Sequence, residues 1–165
     1  MQFALEVQDL SFTRTAPFKF ENEAILDAPP ERVFEVIATG EGQPTWFKDF
    51  VGTRWTTPPP HGVGSKRDVE LKLITVAEHF LVWEPGKRLA FTISSMTLPI
   101  VDAMVEDMVF EPIGTDRTRL LWRAHYRPRS FMRPVHPILR AVFGQLFTES
   151  TRGLVDYIAA HKTRA

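Results

Sequence analysis

From Pro134 to about His161 the chain places apolar residues at 138, 139, 142, 143, 146, 147, 154, 155 and 158. This spacing is a single stripe at the 3.6-residue period of an α-helix. At 1.5 Å per residue such a helix reaches roughly 40 Å. Gly144 and Gly153 are weak points within it. A helix of that length has to bury its stripe on a large apolar surface, so the segments before it decide the fold.

Those segments read as strands. In "KFENEAILD" (19–27), Phe20, Ala24 and Leu26 share one parity, while Lys19, Glu21, Glu23 and Asp27 share the other. That is the pattern of a half-buried antiparallel strand. Pro29 and Pro30 end it, because proline cannot donate to a ladder, yet proline is accepted in the first turn of a helix. Val33, Phe34 and Ile37 then recur at helical spacing, and Gly40 closes that helix. "QPTWFKD" (43–49) predicts a second short helix. From 50 to 127 strand patterns alternate with turns at "PPPHG" (58–62), "EPGK" (84–87) and "EPIGTD" (111–116). The order predicts an α+β fold. An antiparallel sheet of about seven strands curves around one long C-terminal helix, with two short helices after the first strand. A curved sheet that grips a helix leaves a space able to hold a small apolar ligand.

Composition excludes several functions. Lys plus Arg and Asp plus Glu are 20 each, so a net charge near zero gives no reason to expect nucleic acid. With no cysteine there is no disulfide, thiolate nucleophile or thiolate-bound metal. The five histidines have no metal-ligand spacing, so neither a metal nor a cofactor is expected. "GVGS" lacks the third glycine of a dinucleotide loop, and no G-x-S-x-G elbow occurs. No apolar run approaches a membrane span, and "MQFALEVQDL" does not resemble a signal peptide. A cytoplasmic protein without integral membrane contact is expected, and a homodimer stays open.

Several motifs carry a resemblance. They are "APPERVFEVI" with "WF" at 46–47, "GVGSKR" at 62–67, "EHFLVWEPGKRLAF" at 78–91 and "FEPIGTDRTRLLW" at 110–122, followed by the C-terminal helix. Together they resemble the START and polyketide cyclase/dehydrase (SRPBCC) superfamily, over residues 18–161. The resemblance implies a helix-grip domain at 18–165 behind an N-terminal extension at 1–17. "FALEV" in that extension reads either as an extra strand or as a terminal cover. The implied function is binding or transport of a small hydrophobic molecule such as a lipid, polyketide or isoprenoid. One alternative is an enzyme of cyclase or dehydratase type. Another is an accessory protein whose cavity is filled by its own side chains.

Strand parity nominates the site. Read as one strand, "ELKLITVAEHFLVWE" puts His79 and Trp83 on the inner face and Glu78 in water. His79 is then a core histidine or a ligand contact. In "AMVEDMVF", Met104 and Met108 are in phase with Glu106, and the valines with Asp107; the family pattern at Phe110 favours Glu106 as the inner carboxylate. Arg67 is in phase with Val69 and Leu71, and an inward arginine wants a carboxylate or an anionic ligand group. Arg67 and Glu106 are expected to meet only across the cavity, directly or through His79, a water or a ligand. Trp122 and Tyr126 share an inner face, Asn22 is in phase with Phe20, Trp46 borders the entrance, and Phe91 completes the ligand-binding set. In the enzyme reading, Glu106 or His79 is the acid or base and Arg67 polarises a carbonyl.

Overall fold

The computed structural model describes residues 1–163. The sheet runs β2 (Phe18–Leu26), β8 (Arg117–Pro128), β7 (Val101–Ile113), β6 (Arg88–Met96), β5 (Thr75–Glu84), β4 (Lys66–Leu71) and β3 (Phe50–Trp55). All neighbours are antiparallel. The predicted helix-grip architecture is the one observed, with α2 (Pro30–Thr39) and α3 (Gln43–Trp46) after β2 and α4 (His136–Ala160) at the end.

The Pro-Pro junction works as its chemistry dictates. Pro29 is extended, and α2 starts at Pro30, where a missing N–H costs nothing. Gly40 ends the helix at φ 79°, the left-handed conformation that glycine takes without strain, and its N–H donates to the Val36 carbonyl. The buried face of α2 (Val33, Phe34, Val36 and Ile37) closes one side of the core.

The N-terminal extension is both an extra strand and a cover. β6 and β7 pair only from Arg88–Val109 to Thr92–Val105 and then diverge. β1 (Phe3–Ala4) pairs with Met96 and Ser95 at that split. Leu5 N donates to Ser94 O at 2.9 Å, and Glu6 N donates to Asp102 O at 2.8 Å, so the extension bridges the two strands. α1 (Phe12–Thr15) then lays Phe12 over Ala103 and Val105 on the outer face.

Two details of α4 depart from the sequence reading. The segment Ser130–Val135 is a 3₁₀ turn, and α4 begins at His136. The apolar residues do not form one buried stripe either: Ile138 and Val142 are 66% and 52% exposed, whereas Leu154 and Ile158 are fully buried. Gly153 is not a weak point. A Cβ there would lie 2.2 Å from the Trp46 carbonyl oxygen, so glycine is what lets α4 touch the backbone of α3. One turn earlier, buried Ser150 accepts the Lys48 N–H at 3.0 Å, which completes the clamp.

Candidate functional site

Between the sheet and α4 lies a narrow, partly open cavity with about 100 Å³ of free space. Its walls are the inner faces of β4 to β8, the ends of α2 and α3, and the first half of α4. Arg67, Val69 and Leu71 come from β4, and Phe91, Ile93 and Met96 from β6. Met104, Glu106 and Met108 come from β7, and Trp122 and Tyr126 from β8. Trp46 closes the α3 side, its indole N–H donating to the Glu41 carbonyl at 2.8 Å. Leu139, Phe143, Leu146 and Phe147 of α4 form the roof.

The buried charge of the lining lies in three side chains, Arg67, Glu78 and Glu106. Arg67 is almost fully buried. Its Nε donates to Glu78 Oε2 at 2.6 Å, and an Nη donates to the Ala38 carbonyl at 3.1 Å. Its guanidinium also lies 5.3 Å from the Trp55 ring centroid and 5.1 Å from that of Phe80, two cation–π contacts with a pair of rings that stack on each other. Glu106 accepts the Trp122 indole N–H at 2.9 Å. Burial first, and then the Glu78 charge, push the Glu106 carboxyl up to about 8 against the pull of Trp122 and Arg67. Burial also raises Glu78, opposed by Arg67. Arg67 therefore balances one carboxylate, while Glu106 keeps a proton through neutral pH. A protonated carboxyl in an apolar cavity can donate a hydrogen bond to a carbonyl or hydroxyl, or deliver a proton to one.

In the same cavity wall Tyr126 OH and His136 Nε2 are 2.9 Å apart, linking the end of β8 to the first turn of α4. Phe18 packs on His136 at 4.3 Å between ring centroids.

Two sequence expectations are corrected. Arg67 and Glu106 do not pair directly; Arg67 takes Glu78, the residue expected in water. His79 does not line the cavity. Both errors share a cause. Lys72 and Leu73 are not strand but the tip of a tight β4–β5 turn, closed by Leu71 N donating to Ile74 O at 2.8 Å, and Leu73 is 76% exposed. The turn shifts the phase, so Leu71 and then Val76, Glu78 and Phe80 face inward. His79 pairs in register with Lys66 on the outer side, and burial and that neighbouring charge lower its pKa.

Trp83 returns to the inner side because the β5–β6 register slips between Phe80 and Val82. There it packs edge-on against Phe34 and Phe80 and does not reach the cavity. Asn22 has the expected phase but meets Thr148 of α4 at 3.3 Å instead of the cavity. Asp107, the outer alternative to Glu106, is held by a fork of two hydrogen bonds from Arg88. The site also includes Glu78, His136 and Arg140, none of which the sequence reading nominated. Among the described residues no cluster could hold a metal ion.

A family model for polyketide cyclase/dehydrase and lipid transport matches residues 17–159. Uncharacterized proteins of Mycobacterium tuberculosis and Mycobacterium bovis are 34% identical over 152 residues, 92% of this chain and 90% of theirs. The Zhui aromatase/cyclase of a Streptomyces species superimposes with a TM-score of 0.75 at 17% identity, over 90% of this chain and 96% of that one. A START superfamily protein of Mycobacterium smegmatis does so at 0.68 with 12% identity, over 85% and 98% of the two chains. These structural likenesses establish a shared fold. The family pattern runs from the strand before the Pro-Pro junction to the last turn of α4, and the chain belongs to the polyketide cyclase/dehydrase family of the START-like (SRPBCC) superfamily.

Proposed function

We propose that the protein binds and carries a small, mostly apolar molecule with one uncharged polar group. The observation behind this reading is the make-up of the cavity. Aromatic and aliphatic side chains line its length, and the buried charges are internally balanced. A carboxylate or phosphate on the buried part of the ligand would face Glu78 and lose its solvation there, because Arg67 is already committed to Glu78 and the other lining arginine, Arg140, is exposed. A ketone or hydroxyl would meet the protonated Glu106 as donor. The free space of about 100 Å³ is small beside pockets for drug-sized ligands, so a larger ligand requires α4 to move outward over its first half.

The raised Glu106 pKa supports a second reading, an enzyme of cyclase or dehydratase type in which Glu106 transfers a proton to the bound molecule. The name of the Zhui aromatase/cyclase is consistent with that chemistry, though it belongs to that protein.

Native mass spectrometry of the purified protein, with titration of an apolar fluorescent probe, tests the binding reading. A co-purifying neutral apolar molecule, or saturable probe binding that Leu139→Trp abolishes by filling the roof, supports it. No bound molecule together with no saturable binding would sink it. Glu106→Gln separates the two readings: a carrier keeps its affinity within a few-fold, while an enzyme loses turnover and still binds.

A further inference from the structure

The first half of α4 is apolar on the wrong side. Leu139, Phe143 and Leu146 roof the cavity. Yet Ile138 and Val142, one turn apart, are 66% and 52% exposed, and the 3₁₀ turn before them carries Phe131 at 61% and Val135 at 41%. Four large apolar side chains in solvent within twelve residues exceed the scatter expected on a soluble surface.

The charges around them have one sign. Between Asp116 and Glu149 the chain has seven arginines and no acid, although the whole protein is neutral. On β8, Arg119 is matched by Glu23 and Glu111, Arg123 by Glu21, and Arg127 by Glu6 of the N-terminal extension. Arg133 and Arg140 form no ion pair among the described residues. Arg140 lies over the Phe18 ring at 5.9 Å.

We propose that residues 129–142 form a docking surface for an anionic lipid bilayer. Exposed Phe131, Val135, Ile138 and Val142 enter the acyl boundary. Arg133 holds a lipid phosphate beside them, its stem covering apolar surface and its head in the headgroup layer. A second copy of the chain fits this face poorly, because a two-fold contact would bring unpaired Arg133 against its own image. No described helix is long and apolar enough to cross a membrane, so the contact is interfacial. Docking here brings the bilayer against the helix that roofs the cavity, the segment an entering apolar molecule must displace.

Flotation with vesicles of phosphatidylcholine, alone or with phosphatidylglycerol, is the test. The wild type should float with the anionic vesicles at low salt, stay behind with the zwitterionic ones, and be released by salt. Phe131→Ser with Ile138→Ser should weaken flotation about tenfold or more, and Arg133→Glu should weaken it on anionic vesicles. Circular dichroism controls for folding at these exposed positions. The proposal fails if the wild type ignores anionic vesicles, or if the double serine variant floats equally well. It also fails if sedimentation shows a dimer that Ile138→Ser dissociates, which would make this face a contact between copies. Probe binding measured on the same samples keeps the cavity reading separate, since it needs no vesicles.

Discussion

The two halves of α4 do opposite things with the same kinds of apolar residue. From Phe147 onward the helix is clamped: Phe147, Ser150, Thr151, Leu154 and Ile158 are buried, and Gly153 brings its backbone onto α3. From His136 to Leu146 no residue is buried, and its one hydrogen bond to the sheet is the Tyr126–His136 contact. Each half carries leucine, phenylalanine, isoleucine and valine, so the kinds of apolar residue do not distinguish them. Neighbours do. The clamped half has α3 and the inner sheet to pack on, while the other half spans the cavity and has little beneath it. A ligand-binding fold needs one end of its gripping helix fixed and the other free to yield.

The largest effect should come from the buried charges beside the fixed end. Arg67→Met strands Glu78 in a low-dielectric interior and should cost about 3–5 kcal/mol in denaturant unfolding. A loss below about 1 kcal/mol would mean that Glu78 simply takes up a proton and is satisfied without its partner.

Next comes a direct contrast within the helix. Leu154→Ala should cost about 3 kcal/mol, because it empties a packed site. Leu139→Ala, in the half over the cavity, should cost less than about 1 kcal/mol and change probe affinity instead. Equal losses at the two positions would erase the distinction between the halves.

The third effect depends on pH. Glu106 titrates at about 8 in the folded chain, above the ordinary carboxylate value it has when unfolded. The folded state therefore holds a proton that the unfolded state has released. The stability tied to that proton is fully present below about pH 4.5 and is lost as pH rises towards about 8, on the order of a few kcal/mol. Glu106→Gln should flatten that part of the profile. An unchanged slope would assign it to another group, Glu78 first.

Smallest is Tyr126→Phe, which removes the hydroxyl that ties His136 to β8. It should cost about 1 kcal/mol or less in global stability. Amide exchange should nonetheless speed up in residues 136–146 and stay unchanged beyond Phe147. Uniform acceleration along α4 would show that the helix opens as one unit.

Much of this was legible in the sequence. The Pro-Pro junction, the strand alternation and the long C-terminal period were enough for the helix-grip fold. On β4 and β8 parity placed Arg67, Trp122 and Tyr126 correctly on the inner face, because those strands run unbroken through these positions, while on β7 parity left Glu106 or Asp107 and the family pattern at Phe110 chose Glu106. It failed on β5. The turn at Lys72 and Leu73 contains no glycine, proline or asparagine, so nothing marked where the phase reset. One unmarked turn exchanged Glu78 for His79 and so hid the real partner of Arg67. The exposure of Ile138 and Val142 was invisible for a different reason. Helical period shows which residues share a face, but not whether anything lies opposite that face.

The split between β6 and β7 lends the N-terminal residues a further role. Ile93, Met96, Ile100, Val101 and Met104, which flank the split, all line the cavity, whereas none of the first ten residues does. The extension therefore works as a splint on the outside of the wall. It supplies the hydrogen bonds that β6 and β7 no longer give each other and so fixes how far apart they stand. The width of the cavity at that point is set by a segment that does not line it, and shortening or lengthening the extension would retune the cavity without altering any residue that does.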